Sequence, residues 1–585
     1  MPSSFHRCLR ALLLPVVLLV PISVPAAPAA TEPVAAELRA RLATPEALAG
    51  EALRERPLLA RFYAARAGKP AWSEPRLLDA LLAAVDRSPE DGLDAGDYHR
   101  ARLATAIDAA RRGRLDATGL AALDVLATDA WLALAQDLLS GRLDPQQLDK
   151  DWTLRPRSRD LVAALNEALT NRRIGESLAA LAPAYPEYAQ LRRGLAELRR
   201  QLAAGGWPTV GALAKGEKIE PGQPHPRVRE IRARLLATKE VEATTPVLAP
   251  VSVPVPAPAA PAAATTAAGG ETAATPAQPA AAEPAPVETV LAEVYDATLV
   301  EAVHRFQARH GLTEDGVIGA ATVAAMNVSV RERIAQVRLN LERWRWLPGD
   351  LGQRYIVVNI PGFELQVIER GRPVLEAKVV VGTQVKPTPV FTGRMQQVVF
   401  APYWNVPGTI ASEELLPKLR KNPGEFVKTN MKVITGSGAV VDPTAVNWGE
   451  YHPGNFPFRL RQEPGAANPL GRVKFIFPNR YDVYLHDTSK PALFERSQRT
   501  YSHGCIRISR PAELAEYLLK SDPRWNRAAI DAAMDAGRER AVPVPEPLPV
   551  HLLYWTSWVD AQGLLQFRAD VYGRDLALRK ALSAL

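Results

Sequence analysis

Residues 482–509 read DVYLHDTSKPALFERSQRTYSHGCIRIS. The stretch opens on strand alternation, with Val483 and Leu485 on one face and Asp482, Tyr484 and His486 on the other. The apolar face is expected to pack inward, and the polar one to present Tyr484 and His486 to a cleft. Ser502-His503-Gly504-Cys505 follows after a spacer; Gly504, lacking a Cβ, allows a tight turn and leaves backbone groups accessible. Ser509 reads as the N-cap of a helix over PAELAEYLLK, which opens on Pro511. An ordinary thiol, with a pKa of about 8.5, is only a few per cent thiolate at neutral pH. As a nucleophile, Cys505 therefore needs a base or positive neighbours. His486 and His503 are the two candidate bases, and Arg507 adds positive charge nearby.

The only other cysteine is Cys8, in a segment with its own logic. Arg7 and Arg10 precede an apolar run from Ala11 to Val20, and Val24 and Ala26 occupy the −3 and −1 positions of a cleavage site. Residues 1–26 thus read as a secretory signal peptide. The run is short of the about 20 apolar residues of a membrane-spanning helix; an uncleaved anchor is the alternative. Cys8 precedes the run, so it is not placed for lipidation and cleavage would discard it. The exported chain would keep one cysteine and no internal disulfide. In an oxidising compartment such a thiol is either buried and inert or reactive for a purpose.

The 585 residues carry a net charge of +8, a mild bias suited to approaching an anionic polymer. No zinc-finger spacing, P-loop or RNA-binding signature is present, so nucleic acid is not an expected partner. Residues 31–215 place Leu, Ala and Val at helical spacing and read as a helical scaffold. Within it, EDGLDAGDYH (90–99) reads as a solvated turn, because its acids lack the ligand order of a calcium loop. Residues 241–288 are Pro/Ala/Thr-rich, without aromatics, and cannot bury enough apolar surface to order themselves.

The flanks of that segment, 225–241 and 295–328, read as parts of one small module. Ala302-Val303, Phe306-Gln307, Gly311-Leu312, Asp315-Gly316, Ile318-Gly319 and Thr322 resemble the peptidoglycan-binding-like module, a three-helix domain. The Pro/Ala-rich segment would then be an insertion within a module spanning 225–328. A connecting helix is expected over 329–352. From residue 353 the pattern changes to short β-rich runs, interrupted at 408–455 by a partly helical insertion. VHLLYWTSWVD and LLQFRADVYGRD, within 545–575, suggest a C-terminal β-hairpin turning at Gly563 and packing on the catalytic or scaffold domain. The fold class expected is multidomain α+β.

His486, the spacer and Ser502-His503-Gly504-Cys505-Ile506-Arg507 resemble the signature of the L,D-transpeptidase catalytic domain, of the YkuD type, here over 353–525. PAWSEP, EDGLDAGDYH, PGAANPLGRVKFIFPN and the C-terminal runs further resemble the long Gram-negative, YcbB-like subgroup. The resemblance implies a periplasmic enzyme that joins peptidoglycan stems by 3→3 cross-links. Cys505 would form a thioester with a donor tetrapeptide stem, His486 would transfer the protons, and backbone N–H groups near Gly504 and Cys505 would hold the oxyanion. His503 would shape the site. Tyr484, Arg507 and Ser502 would position substrate, and Trp448 in the insertion would close over the stem as part of a lid. No metal or organic cofactor is implied. The partners implied are donor and acceptor stems of peptidoglycan, with other cell-wall synthesis proteins in addition, and a membrane only through an uncleaved signal. Water as acceptor would make an L,D-carboxypeptidase, and a lipoprotein lysine an anchoring enzyme. A non-catalytic wall-binding scaffold is a further rival, and a papain-like protease another, whose layout the histidine before the cysteine fits poorly.

Overall fold

The computed structural model describes residues 31–42, 53–241 and 293–584. The signal-peptide reading, and the Pro/Ala-rich insertion apart from Val241, lie outside the described residues. The architecture is multidomain and mixed: a helical bundle, a small helical module and a β-rich domain.

The bundle is organised on the helix Ala117–Ser140, which is apolar and buried along most of its length. By length and composition it could cross a membrane, yet here it is the centre of a helical core. Its three buried aspartates are each caged. Asp124 accepts from the Ala71 and Trp72 N–H groups and from the Tyr63 hydroxyl, Asp129 pairs with His99 at 2.7 Å, and Asp137 binds Arg54 and the Tyr98 hydroxyl. Buried polar groups persist only when so satisfied.

Two features depart from the sequence reading of the N-terminal half. The first is the 90–99 loop, which is not a solvated turn. Asp91, Leu93 and Tyr98 are buried. Asp91 accepts from the Tyr188 hydroxyl, and its carbonyl accepts from Arg345, while Arg338 donates to the Gly92 carbonyl. The acidic residues mislead because their partners are arginines and tyrosines distant in sequence. The second is the end of the scaffold. The helix Pro186–Ala203 packs into the core of the β-rich domain, and Val210 and Ile219 pack into the small module, so 31–215 is not one unit.

In the small module, Val228–Ala237, Ala297–Arg309 and Ala320–Met326 are helices around one core. Pro224 bridges Val294 and Ile219 bridges Ile318, so the chain rejoins itself across the insertion. The helix Val330–Arg345 follows, opened by a capping box of Ser329 and Glu332. It is buried on nearly every side, although rich in charge. Glu342 and Arg345 pair at 2.6 Å with almost no exposure, and Arg343 pairs with Asp575 at 2.6 Å.

The β-rich domain contributes β1 (Arg354–Asn359), β2 (Glu364–Glu369), β3 (Arg372–Gly382), β4 (Phe391–Arg394) and β5 (Gln397–Phe400). A lid follows, with β6 (Trp404–Asn405), β7 (Met431–Ile434), β8 (Val440–Val441) and β9 (Arg459–Gln462). Then come β10 (Val473–Ile476), β11 (Leu485–His486), β12 (Thr500–Ser502), β13 (Ile506–Ile508), β14 (Arg540–Pro543) and β15 (Pro549–Leu553). The main sheet runs β14-β5-β10-β11-β13-β3-β2-β1-β15-β4, with β12 beside β3. The lid leaves between β5 and β10, which pair directly, and has its own sheet and its own core. It is therefore a small domain spanning about 404–462, wider than the 408–455 read from sequence. The segment read as one C-terminal hairpin divides. Its first half is β15, parallel to β1 in the main sheet, and the hairpin proper is β16 (Ser557–Val559) with β17 (Leu565–Phe567), turning at Gly563. That hairpin packs on Pro186–Ala203, on the connecting helix and on the small module.

Candidate active site

β11 is only two residues long, and it sits between β10 and β13 with both of its residues buried. It is antiparallel to β10, with Lys474 opposite His486, and parallel to β13, with Leu485 opposite Ile506 and His486 opposite Arg507. Parallel pairing puts Tyr484 and Cys505, the residues just before each strand, side by side. The Ile506 N–H donates to the Tyr484 carbonyl at 3.1 Å.

Cys505 is half-buried. Its thiol donates to the Asp482 carbonyl at 3.6 Å, and the Tyr484 backbone and side chain both lie against the sulfur. Burial pushes the thiol up from its ordinary value; the Tyr484 contacts and the Arg507 charge oppose this. Burial, with the sulfur beside it, likewise raises the Tyr484 phenol. Arg507 is half-buried, and its Nε is a buried donor without a partner. Burial lowers its pKa, with the Cys505 charge acting against that.

His486 lies on the same side of the strand as Tyr484, as alternation has it, but it is buried and not presented to a cleft. It is 4% exposed. The reason is topological: an interior strand of a covered sheet is buried on both faces, so polar and apolar positions no longer separate. Its Nδ1 lies 2.5 Å from the Asp487 carbonyl. That contact places a proton on Nδ1, and the Leu470 backbone is a second hydrogen-bond partner of the ring. Burial, reinforced by the Arg507 guanidinium, pushes the imidazole down to about 3. The Tyr484 and His486 rings meet edge to face at 5.7 Å.

The turn carrying the cysteine is braced from within. Gly504 has φ of +115°, open to glycine and strained for any L side chain. Ser502, read as a substrate contact, is 3% exposed; its hydroxyl donates to the Cys505 carbonyl at 2.5 Å and accepts from the Gly504 N–H at 3.1 Å. Both functions of the hydroxyl are thus spent inside the turn, and the Gly504 N–H is not free for an oxyanion. Ser509 is not the N-cap. It pairs with Lys378 on β3, accepting from its N–H at 2.9 Å through the hydroxyl, and the helix Pro511–Leu519 begins after Arg510.

His503 points to the lid. Its Nε2 lies 2.8 Å from Glu414, which also pairs with Lys386 at 2.8 Å. Trp448 is buried in the lid core, with its indole N–H on the Pro443 carbonyl and its ring among Tyr451, Phe456 and Phe458. Its size and apolarity serve the lid's own packing, so it is not a side chain free to cover a ligand.

Sequence reading missed a second support. Thr388, fully buried, donates from Oγ1 to the Gly504 carbonyl at 2.8 Å and accepts from the Gly382 N–H at 2.9 Å. The Tyr572 hydroxyl donates to the Gly382 carbonyl at 2.7 Å and accepts from the Thr388 N–H at 3.2 Å. The only local signal is the run Lys386-Pro387-Thr388-Pro389, whose prolines stiffen the backbone around one hydroxyl. Among the described residues no cluster of His, Cys, Asp and Glu is arranged to hold a metal ion.

Comparison with known proteins agrees with this division. The family described as the L,D-transpeptidase catalytic domain matches residues 353–525, the "Scaffold domain" matches 57–195, and the "Putative peptidoglycan binding domain" matches 288–326. A Haemophilus influenzae protein named "Putative L,D-transpeptidase" is 34% identical over 246 residues, which are 42% of this chain and 49% of that protein. The chain thus matches about half the length of that relative. A crystal structure of an L,D-transpeptidase (residues 123–326) from Xylanimonas cellulosilytica aligns with 59% of this chain and 98% of its own, at 14% identity and a TM-score of 0.17, too poor a superposition to bear on the fold. Residues 353–525 are an L,D-transpeptidase catalytic domain of the YkuD type. The chain joins it to a peptidoglycan-binding domain and a helical scaffold.

Proposed function

We propose that this protein is a murein L,D-transpeptidase of the long, YcbB-like subgroup. It acts after export, and forms 3→3 cross-links between stem peptides through a thioester on Cys505. The observation that carries the reading is the half-buried sulfur with the Tyr484 side chain on it and Arg507 beside it, in a turn held rigid by Ser502 and Thr388. The scaffold and binding-domain matches support the subgroup.

The resting pair is a neutral thiol and a neutral imidazole, because burial opposes charge on both. Attack therefore requires the proton to leave as the bond forms. The Cys505 sulfur attacks the carbonyl of the L-centre at position 3 of a donor stem, and its proton passes to His486 Nε2. The Asp487 carbonyl holds the opposite ring nitrogen and stabilises the transient imidazolium. The oxyanion falls to the Cys505 N–H, since Ser502 engages that of Gly504. Collapse breaks the peptide bond, His486 returns the proton to the departing D-alanine amine, and a thioester remains. The amine of a second stem then attacks the thioester, losing a proton to His486, and the sulfur departs to be reprotonated. Arg507 Nε, unpartnered and buried, pairs with a stem carboxylate. His503 ties the lid to the catalytic turn through Glu414 and is not the base.

Mass spectrometry of muropeptides made by wild type and by Cys505→Ala tests this. Dimers joined 3→3 that vanish in the variant are expected. Dimers that persist refute the role of the cysteine, and tripeptides without dimers would assign water as the acceptor.

A further inference from the structure

Away from the cysteine, the helix Pro186–Ala203, the small module and the β16–β17 hairpin enclose a cleft of about 480 Å³. Its close fit depends on Gly194, where an added Cβ would lie 2.7 Å from the Leu565 side chain. The lining is charged, and the charges do not cancel. Arg193, Arg234, Lys239, Arg309 and Arg333 face only two carboxylates, Glu197 and Glu240. Glu240 is taken by Arg309, and Glu197 by Lys239 at 3.0 Å.

Arg234 and Arg333 are left without an ion pair, although they are 1% and 8% exposed. Arg234 donates only to neutral acceptors, the Met326 carbonyl and the Thr238 hydroxyl, and stacks over Trp207 at 4.2 Å. Arg333 donates to the Gln336 amide and lies over the Phe567 ring at 4.4 Å. Burial lowers both, to about 9 and about 10 respectively, with repulsion from Arg333 and Arg309 adding to it at Arg234 and from Arg309 at Arg333, against the attraction of Glu240 and Glu332. Two buried guanidinium groups with no carboxylate in direct contact, at the wall of an open cleft, are costly unless an anion enters.

We propose that this cleft binds the free carboxylates of a peptide stem, as a second wall-polymer site apart from the cysteine. The choice of a stem rests on the polymer being the substrate, as proposed above, and on the rest of the lining. The Gln190 and Gln562 amides suit peptide groups, and Val559 and Leu564 offer apolar contact that a bare inorganic anion would not use. Guanidinium groups are the side chains best matched to carboxylates. Two of the three units that form the cleft, the small module and the hairpin, meet there through Arg309, which donates to the Leu565 carbonyl at 3.0 Å. An occupied cleft would therefore hold the module against the catalytic half.

Hydrogen–deuterium exchange of the full chain tests this with three probes: a soluble stem tripeptide with free carboxylates, its fully amidated form, and inorganic phosphate. The free-acid stem is expected to protect peptides covering 228–240 and 557–567, and the amidated form is not. The protection should weaken as salt rises. Arg193→Glu with Lys239→Glu, both on exposed side chains, should weaken it at least tenfold with an unchanged circular dichroism spectrum; Arg193→Glu alone serves should the pair misfold. No protection of these peptides, equal protection by phosphate, or full protection in the variant would each overturn the proposal. Protection of peptides covering 482–507 is read in the same experiment and reports on the cysteine site. The two readings therefore fail separately.

Discussion

The buried imidazole of His486 makes the pH dependence of acylation diagnostic. With an ordinary pKa of 6.5, only about 3% of that base would be neutral at pH 5, and acylation would fall about 30-fold between pH 7.5 and 5. Burial and Arg507 instead hold it down at about 3, so it stays neutral across this range. The thiol, raised by burial, also stays protonated. Both reactants thus keep one charge state, and the acylation rate is expected to be flat from pH 5 to 7.5. Were a preformed thiolate the nucleophile, without a base in the step, the rate would climb tenfold per pH unit, about 300-fold over this window. The assay is single-turnover thioester formation from a soluble donor stem, quenched and read by intact mass, with circular dichroism at each pH. A fall with its midpoint near 6.5 would show a solvated histidine and refute the burial argument. A unit slope would refute general-base catalysis.

Cys505→Ser should form no thioester adduct, and an adduct at another residue, located by peptide mapping, would end that assignment. His486→Gln should slow acylation by about 10²–10⁴-fold with the fold intact. The same variant bears on stability. The unfolded chain binds a proton at this residue below pH 6.5 and the folded chain does not, so stability falls as pH drops, by about 2 kcal/mol at pH 5. Urea unfolding should show that loss in wild type and not in the variant. Thr388→Val removes the bond to the Gly504 carbonyl and should slow acylation about tenfold, the equivalent of 1.4 kcal/mol, with the amide of Gly504 exchanging faster. Glu414→Gln cuts both lid pairs, and amides of 408–455 should exchange about two- to fivefold faster.

The catalytic segment was legible because its chemistry is local. A cysteine, a glycine and two histidines within twenty residues announce themselves whatever surrounds them. What the sequence did not convey is which side chains are occupied elsewhere. Ser502 and Trp448 have the right character for substrate contact, but their hydrogen bonds close on Cys505 and Pro443. Alternation put Tyr484 and His486 on one side of β11 but could not show that His486 is buried, because a strand with neighbours on both sides and layers on both faces is covered on its polar side too. Thr388 and Tyr572 reach the turn from 116 and 68 positions away along the chain, a distance that no spacing rule spans.

The same limit applies where the domains join, with a consequence for stability. VRERIAQVRLNLERWR has the composition of a solvated helix, yet its C-terminal half is buried, where Glu342 and Arg345 pair with each other and Arg343 pairs with Asp575, 232 positions away. Glu342 accepts from Arg345, from the Trp346 indole and from the Arg142 N–H of the bundle, while Arg345 donates to the Asp91 carbonyl and the Tyr188 hydroxyl. One buried ion pair therefore joins the bundle, through Glu342, to the 90–99 loop and the helix Pro186–Ala203, through Arg345. Breaking one side of a buried pair costs about 3–5 kcal/mol, because the other charge is left unpaired in the interior. Glu342→Gln should lower stability by that amount. A hydrophobic replacement of both partners, Glu342→Leu with Arg345→Met, should recover most of it only if the pair is the dominant link. If the double replacement stays as unstable as the single, the hydrogen bonds to Asp91, Tyr188 and Arg142 carry the junction. In that case its rigidity comes from the network around the pair, and not from the charge itself.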